Sequence, residues 1–298
     1  MSGVAWIDPD PWVLVRVLVQ AGFYASALLA VGSVMFRVAF PALAPRDSVV
    51  LHRCTWLAAG GGIAMLLLLW LLQAAYLGGG SWRSAFDPML LGIVADSAQG
   101  ERMRLAVVGL LVLPLATRGG APAVVRYLAG ALGLGLVLAG FAQVGHTRGD
   151  IGQCLLLIAH LAMAAFWLAA LPSLYRALRR ESPHGSPTSQ LQRFSRLGAG
   201  MIALLLTTGG ALAVWLLGGS VASPWQSAYG QVLTLKLVLV GALLGLGACN
   251  RWWLVPALAR GEHQARHRLR LSIAGETVLM ALILLAAACL MNTSAPAG

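Results

Sequence analysis

"GHTRGDIGQCLLLIAHLAMAAFWLAALP", residues 145–172, is the stretch whose reading decides the fold. After a polar turn ending at Asp150 the chain stays apolar to Tyr175. A helix rising about 1.5 Å per residue needs about 20 residues to cross about 30 Å of hydrocarbon, so this segment reads as a membrane span. It holds one ionisable residue far from either end. His160 follows Asp150 by ten residues, or about 15 Å, which is mid-bilayer.

The rest of the chain agrees with this reading. Of 298 residues, 59% are hydrophobic and 10% charged, with a mean hydropathy of +0.79, outside the range of soluble domains. Eight apolar segments are expected as helices, at about 12–38, 54–77, 102–117, 123–144, 151–175, 197–217, 229–254 and 271–291. The third is short, contains Pro114 and begins among Glu101, Arg102 and Arg104. The expected fold is all-α: a polytopic membrane helix bundle of about eight transmembrane helices. It forms one integral-membrane domain over 1–298, with helices one to four at about 12–144 and helices five to eight at about 151–291. An inner linker at about 176–196 lies within the second set and contains "RRESPHGSPTSQ" (179–190), a flexible-linker composition.

Charge distribution orients the bundle. The loops after helices one, three, five and seven, with their flanks, hold fifteen arginines. The opposite side holds four, Arg83, Arg102, Arg104 and Arg148, with six acids: Asp8, Asp10, Asp87, Asp96, Glu101 and Asp150. By the positive-inside rule the arginine-rich loops face the cytoplasm and both termini are expected to be periplasmic. The net charge of +11 and the pI near 10.7 are thus a topology feature, with lipid rather than nucleic acid as the surrounding partner. Cys54, Cys154, Cys249 and Cys289 show no CxxC spacing and suggest no disulfide framework.

Residues with chemistry must lie in the bundle or at its rims. His160, Met163 and Trp167 fall at i, i+3 and i+7 on one helix face. Imidazole with a thioether suits a soft cation such as Cu(I), although a methionine on such a face is also ordinary core filler. An ionisable residue at this depth is costly and marks an ion or substrate path by default, the alternative being a neutral imidazole that ties two helices together. At the outer rim, His146, Asp150 and Cys154 recur every four residues. They read either as a polar entrance or as a solvated turn with a capping aspartate.

Arg16 lies close enough to the outer interface to snorkel. Lys236 and Glu276 are expected at depths about 10 Å apart, so Glu276 is expected to meet Asn250 and Arg251 instead. Structural ion pairing is the first reading of these groups, and a proton or ion relay the second. His263 and His267 lie in the basic loop "RGEHQARHRLR", and His52 and His184 form no pattern. There is no nucleotide loop, nucleophile motif or zinc-protease motif, and no enzymatic activity is expected.

The combination of "GH" at 145–146, "AHLAMAAFWLAALPSL" at 159–174, "YGQVLTLKLVLVGALLGLGACNRWWLVPAL" at 229–258 and a glutamate early in the last helix resembles the copper-resistance protein D (CopD) family. The likeness is best over 145–291. It implies a multi-pass protein of the bacterial inner membrane that moves copper or supports copper homeostasis, beside a separate periplasmic copper-binding protein. His146, His160, Trp167, Lys236, Asn250, Arg251 and Glu276 match family motif positions, with the two histidines as the implied ligands. The sequence departs from the pattern in two places. The first helix reads "VQAGFYASALLAV", with Gln20 and Tyr24 where many relatives carry a histidine, and "FWLAAL" replaces a glycine-rich stretch. Two other readings follow from the residues themselves. One is a haem-bearing electron-transfer subunit of the cytochrome b type, disfavoured because only one histidine lies deep enough to be an axial ligand. The other is a membrane scaffold without a cofactor.

Overall fold

The expected span at 151–175 forms one helix, Ile151–Arg179 (α6), and the other elements follow in the computed structural model, which describes residues 11–41, 43–145, 149–179, 187–216 and 227–293. They are α1 (Pro11–Ala39), α2 (Pro45–Leu77), a 3-10 turn (Ser84–Phe86), α3 (Pro88–Ala95), α4 (Ala98–Thr117) and α5 (Ala123–Ala142) before α6. After it come α7 (Pro187–Leu216), α8 (Ala228–Cys249), a π-helical turn (Asn250–Leu254), α9 (Val255–Ala259) and α10 (Ala265–Asn292). Among the described residues seven stretches are long and apolar enough to cross a membrane: α1, α2, α5, α6, α7, α8 continued through α9, and α10.

α4 is the weak third segment, and its three charges keep it out of that set. Its packing nevertheless places it inside the bundle. Ala116 lies against Gly130, Gly109 against Val137, and Ala106 and Arg102 against Gly140, so α4 runs antiparallel beside α5 along its whole length. The ends of the bundle agree. Phe141, near the end of α5, stacks on Phe23 in the first half of α1 at 5.2 Å, while Met291 at the end of α10 packs on Gly145 just beyond α5. α1 therefore starts at the end of the bundle where α10 finishes.

Four expected boundaries need correction. The linker at 176–196 is largely helix: α6 runs to Arg179, and α7 starts at Pro187, a residue preorganised for the first helical turn; residues 180–186 lie outside the described residues. α2 begins nine residues before Cys54, again with a proline in its first turn, and α10 begins six residues before Leu271. The loop between the second and third spans contains α3, where Pro88 follows the N-cap Asp87, whose Oδ1 accepts from the backbone N–H groups of Met89 (2.8 Å) and Leu90 (3.3 Å).

Two apolar clusters make up the core. One joins α1, α2, α4 and α5, with Ala165, Leu284 and Ala288 reaching in from α6 and α10. The other joins α6 to α10 with Phe36 and Phe40 from the end of α1 and Leu51 from α2. α1 is thus the shared wall of the two halves and is buried almost continuously from Ala27 to Val34. Gly32 makes this possible: a Cβ there would run into the Ala165 carbonyl and come within 2.8 Å of the Ala169 Cβ, the close approach that small residues give helices in lipid. We expect Gly32→Val to destabilise the bundle by at least the about 1–3 kcal/mol typical of overpacking, read as a lower unfolding temperature in detergent. Gly60→Val, at an exposed helical glycine with nothing within 4 Å of the added carbon, should leave that temperature nearly unchanged.

Candidate functional site

Glu276 is a carboxylate only 3% exposed in the middle of the second cluster. Neutral donors meet both of its oxygens: the Trp167 indole N–H donates to Oε2 at 2.9 Å and the Asn250 amide to Oε1 at 2.5 Å. Three separate elements, α6, the π turn and α10, therefore converge on one carboxylate. Trp167 is itself 2% exposed, and its ring lies against Gly247, where a Cβ would stand 3.2 Å from Cζ2. A larger residue on α8 would push the indole away from its acceptor.

The π turn sets the position of Asn250. Pro256 has no N–H to give the Trp252 carbonyl one turn back, and its ring crowds that carbonyl. Just ahead of it the Val255 N–H bonds back to the Asn250 carbonyl, five residues away. The widened turn carries Asn250 to Glu276 and Arg251 to α7, where its Nη1 donates to the Ser195 carbonyl. The expected ion pairing of Glu276 is thus replaced by two neutral hydrogen bonds, and Arg251 binds backbone instead. Beside the carboxylate lies a cleft lined by Trp167, Ser195, Met201, Asn250, Arg251 and Glu276 among others, with room of about 60 Å³ for water-sized molecules and so for more than one water. Asn250 Oδ1 is buried without a protein partner and supplies a free acceptor in this region.

His160 lies two turns from Trp167 on the same face of α6. Its Nδ1 is 3.2 Å from the Leu205 carbonyl and 3.5 Å from Thr208 Oγ1. A carbonyl can only accept, so this contact places the ring proton on Nδ1 and leaves the lone pair on Nε2, the arrangement that suits an imidazole for a metal or proton. Gly209 makes room for the ring: a Cβ there would come within 2.9 Å of Cε1. Met163 packs against the second apolar cluster. The register of α6 on α8, given by Trp167 on Gly247, puts Lys236 roughly one turn further from the arginine-rich end than His160. Lys236 is near enough to act on His160 electrostatically and does not pair with Glu276.

In order of depth, the C-terminal set thus carries Lys236, then His160 with Thr208, then Trp167 with Glu276 and Asn250, then Arg251 with Ser195. Asp150 adopts the capping arrangement: its Oδ1 accepts from the Gln153 N–H at 2.9 Å, and its carbonyl accepts from the Cys154 N–H at 3.0 Å. Cys154 is half-buried and forms no disulfide among the described residues. His146 lies outside the described residues. Among the described residues no three histidines, cysteines, aspartates or glutamates gather as a metal-binding group. Ser195 carries no motif of its own in the sequence, Gly247 lies in the glycine-rich stretch "LVGALLGLGAC" (239–249) that marks close helix packing, and for Thr208 and Gly209 "TTGG" at 207–210 is the available sign, a polar and small patch inside an apolar span.

We expect Trp167→Phe to leave Glu276 Oε2 without its donor and to cost about 1–3 kcal/mol, the usual penalty for a stranded buried acceptor. Measured by thermal denaturation in detergent, the pair Trp167→Phe with Glu276→Leu should lose less than the sum of the single variants. Strictly additive losses would show that the two side chains do not act together.

The model of the family described as "Copper resistance protein D" matches residues 188–290, which is α7 to α10 and holds Lys236, Asn250, Arg251 and Glu276 but neither His160 nor Trp167. A curated protein of Pseudomonas syringae pv. tomato, "Copper resistance protein D", is 30% identical over 143 residues, 45% of this chain and 46% of its own. The match spans about half the length of that relative. No solved structure matches the chain. Over its C-terminal part the chain is thus similar to the copper resistance protein D family.

Proposed function

We propose that the protein acts in copper resistance by moving copper, as Cu(I), across the bacterial inner membrane along the polar groups of α6, α7, α8 and α10. One observation carries this reading: the segment that matches the copper-resistance family carries Lys236, Glu276 and Asn250, and His160 of α6 packs onto it through the Leu205 carbonyl, so that these groups follow one another in depth. Polar groups at such depth are expensive and mark ion or substrate paths. In this reading His160 offers Nε2 to the passing ion, with Met163 one turn on as a soft donor, and Glu276 with Asn250 forms the next station. The outer rim at His146, Asp150 and Cys154 receives copper from a separate periplasmic copper-binding protein, both termini face the periplasm, and the arginine-rich loops face the cytoplasm.

The experiment is Cu(I) uptake by vesicles that contain the purified protein, with copper and iron counted per chain. Wild type should accumulate copper, and His160→Ala should cut the rate about tenfold, the loss expected for one good ligand or charge-assisted contact. Equal uptake by the variant would sink the proposed path. Iron at one or more per chain with a Soret band would replace this proposal with the haem reading.

A further inference from the structure

A second polar cavity lies in the other half of the molecule, towards the end where α1 begins. Arg16 and Gln20 of α1, Trp70 and Gln73 of α2, and Gln99 and Arg102 of α4 line it. Arg102 is 4% exposed, and its Nε is buried with no hydrogen-bond partner in the protein. Its guanidinium carbon sits 5.4 Å from the Phe23 ring, and that of Arg16 sits 5.9 Å from the Tyr76 ring. Gln20, 5% exposed, adds a third buried polar side chain. Among the described residues no aspartate or glutamate lines the cavity. The charged and ionisable neighbours that act on Arg102 are Tyr24 and Arg16, so one cation faces another.

Two guanidiniums without a carboxylate form an incomplete arrangement, because a buried charge needs a counter-charge and hydrogen bonds to offset its desolvation. Aromatic faces offset part of that cost but leave the Nε donor unused. The missing partner must accept several hydrogen bonds and carry negative charge. It must also enter by a small tip, since the cavity has room of about 20 Å³ for water-sized molecules, about one water or one oxyanion oxygen reaching in from the mouth. Guanidinium forks match phosphate geometry, and the glutamine amides add neutral donors.

The depth of the site fits the same chemistry. Arg16 lies in the second turn of α1, and Arg102 in the second turn of α4. Trp12 and Trp82, with ring centroids 5.0 Å apart, stand at the same end, as aromatic residues do at headgroup level. We propose that this cavity binds one phosphate group per chain, with Arg102 and Arg16 as its counter-charges and Gln20, Gln73 and Gln99 completing its hydrogen bonds. The arginines that the sequence assigns to snorkelling and to a helix start thus face each other across one site.

The test uses the full chain, purified in mild detergent, in two arms. Native mass spectrometry counts retained phospholipid, and thermal-shift titration with inorganic phosphate follows after exchange into phosphatidylcholine nanodiscs. If the source is lipid, wild type retains an anionic phospholipid, and occupancy falls about tenfold in Arg102→Gln, the loss of one charge-assisted pair. If the source is free phosphate, no lipid is retained, and wild type shows saturable stabilisation that Arg102→Gln lacks. Gln73→Leu, which keeps both guanidiniums, should weaken either signal, and Arg83→Gln, the same charge change on an exposed loop, should not. The proposal is overturned if wild type neither retains lipid nor responds to phosphate. It is equally overturned if binding is unchanged in both Arg102→Gln and Gln73→Leu.

Discussion

Hydrocarbon offers a buried carboxylate no water, and the C-terminal half of this protein is arranged around that constraint. Glu276 can stay in the bundle only because an indole from α6 and an amide from the π turn reach it, and each needs its own local device. The indole requires the absence of a side chain at Gly247. The amide requires the widened turn ahead of Pro256. An unsatisfied polar group in this setting costs several kcal/mol, so these features are coupled: loss of either donor strands the acceptor.

The same logic runs through the depth of the half-bundle. His160 turns Nδ1 to a backbone carbonyl of α7, and Arg251 turns to another, that of Ser195. Each polar side chain thus fastens α6 or the π turn to a neighbouring helix and fills one level of the interior. α7 and α8 meanwhile present residues such as Leu204, Val214, Leu237 and Val238 outwards, as lipid-facing helices do. The interior polar groups behind this lipid-facing wall are thus the ones that cross-link the helices.

α1 joins this half to the other one. Its shared position explains why the expected division into two sets of four helices is a division of the sequence rather than of the core. Phe36 and Phe40 belong to the C-terminal cluster, while Phe23 and Tyr24 pack in the N-terminal one. Polar groups differ between the halves: a carboxylate, an imidazole, an amide, a lysine and a guanidinium on one side, two guanidiniums and three glutamine amides without a carboxylate on the other.

The sequence alone determined that the chain is a helical membrane bundle, because apolar length and arginine asymmetry are properties of segments and need no knowledge of neighbours. It also singled out His160, Trp167, Lys236, Asn250, Arg251 and Glu276, since a polar residue inside an apolar run is visible one residue at a time. Helix ends were less legible: α7 and α10 start in polar sequence that reads as loop, because a helix can leave the hydrocarbon and continue among charged residues. Partnership was decided only by the tertiary structure. Glu276 is joined to Trp167 rather than to a cation, Arg251 to Ser195, and Arg16 shares a cavity with Arg102 far away in the chain. The register between helices and the one-residue widening before Pro256 set these contacts, and a shift of one residue turns a helical side chain by about 100°, from one neighbour to another.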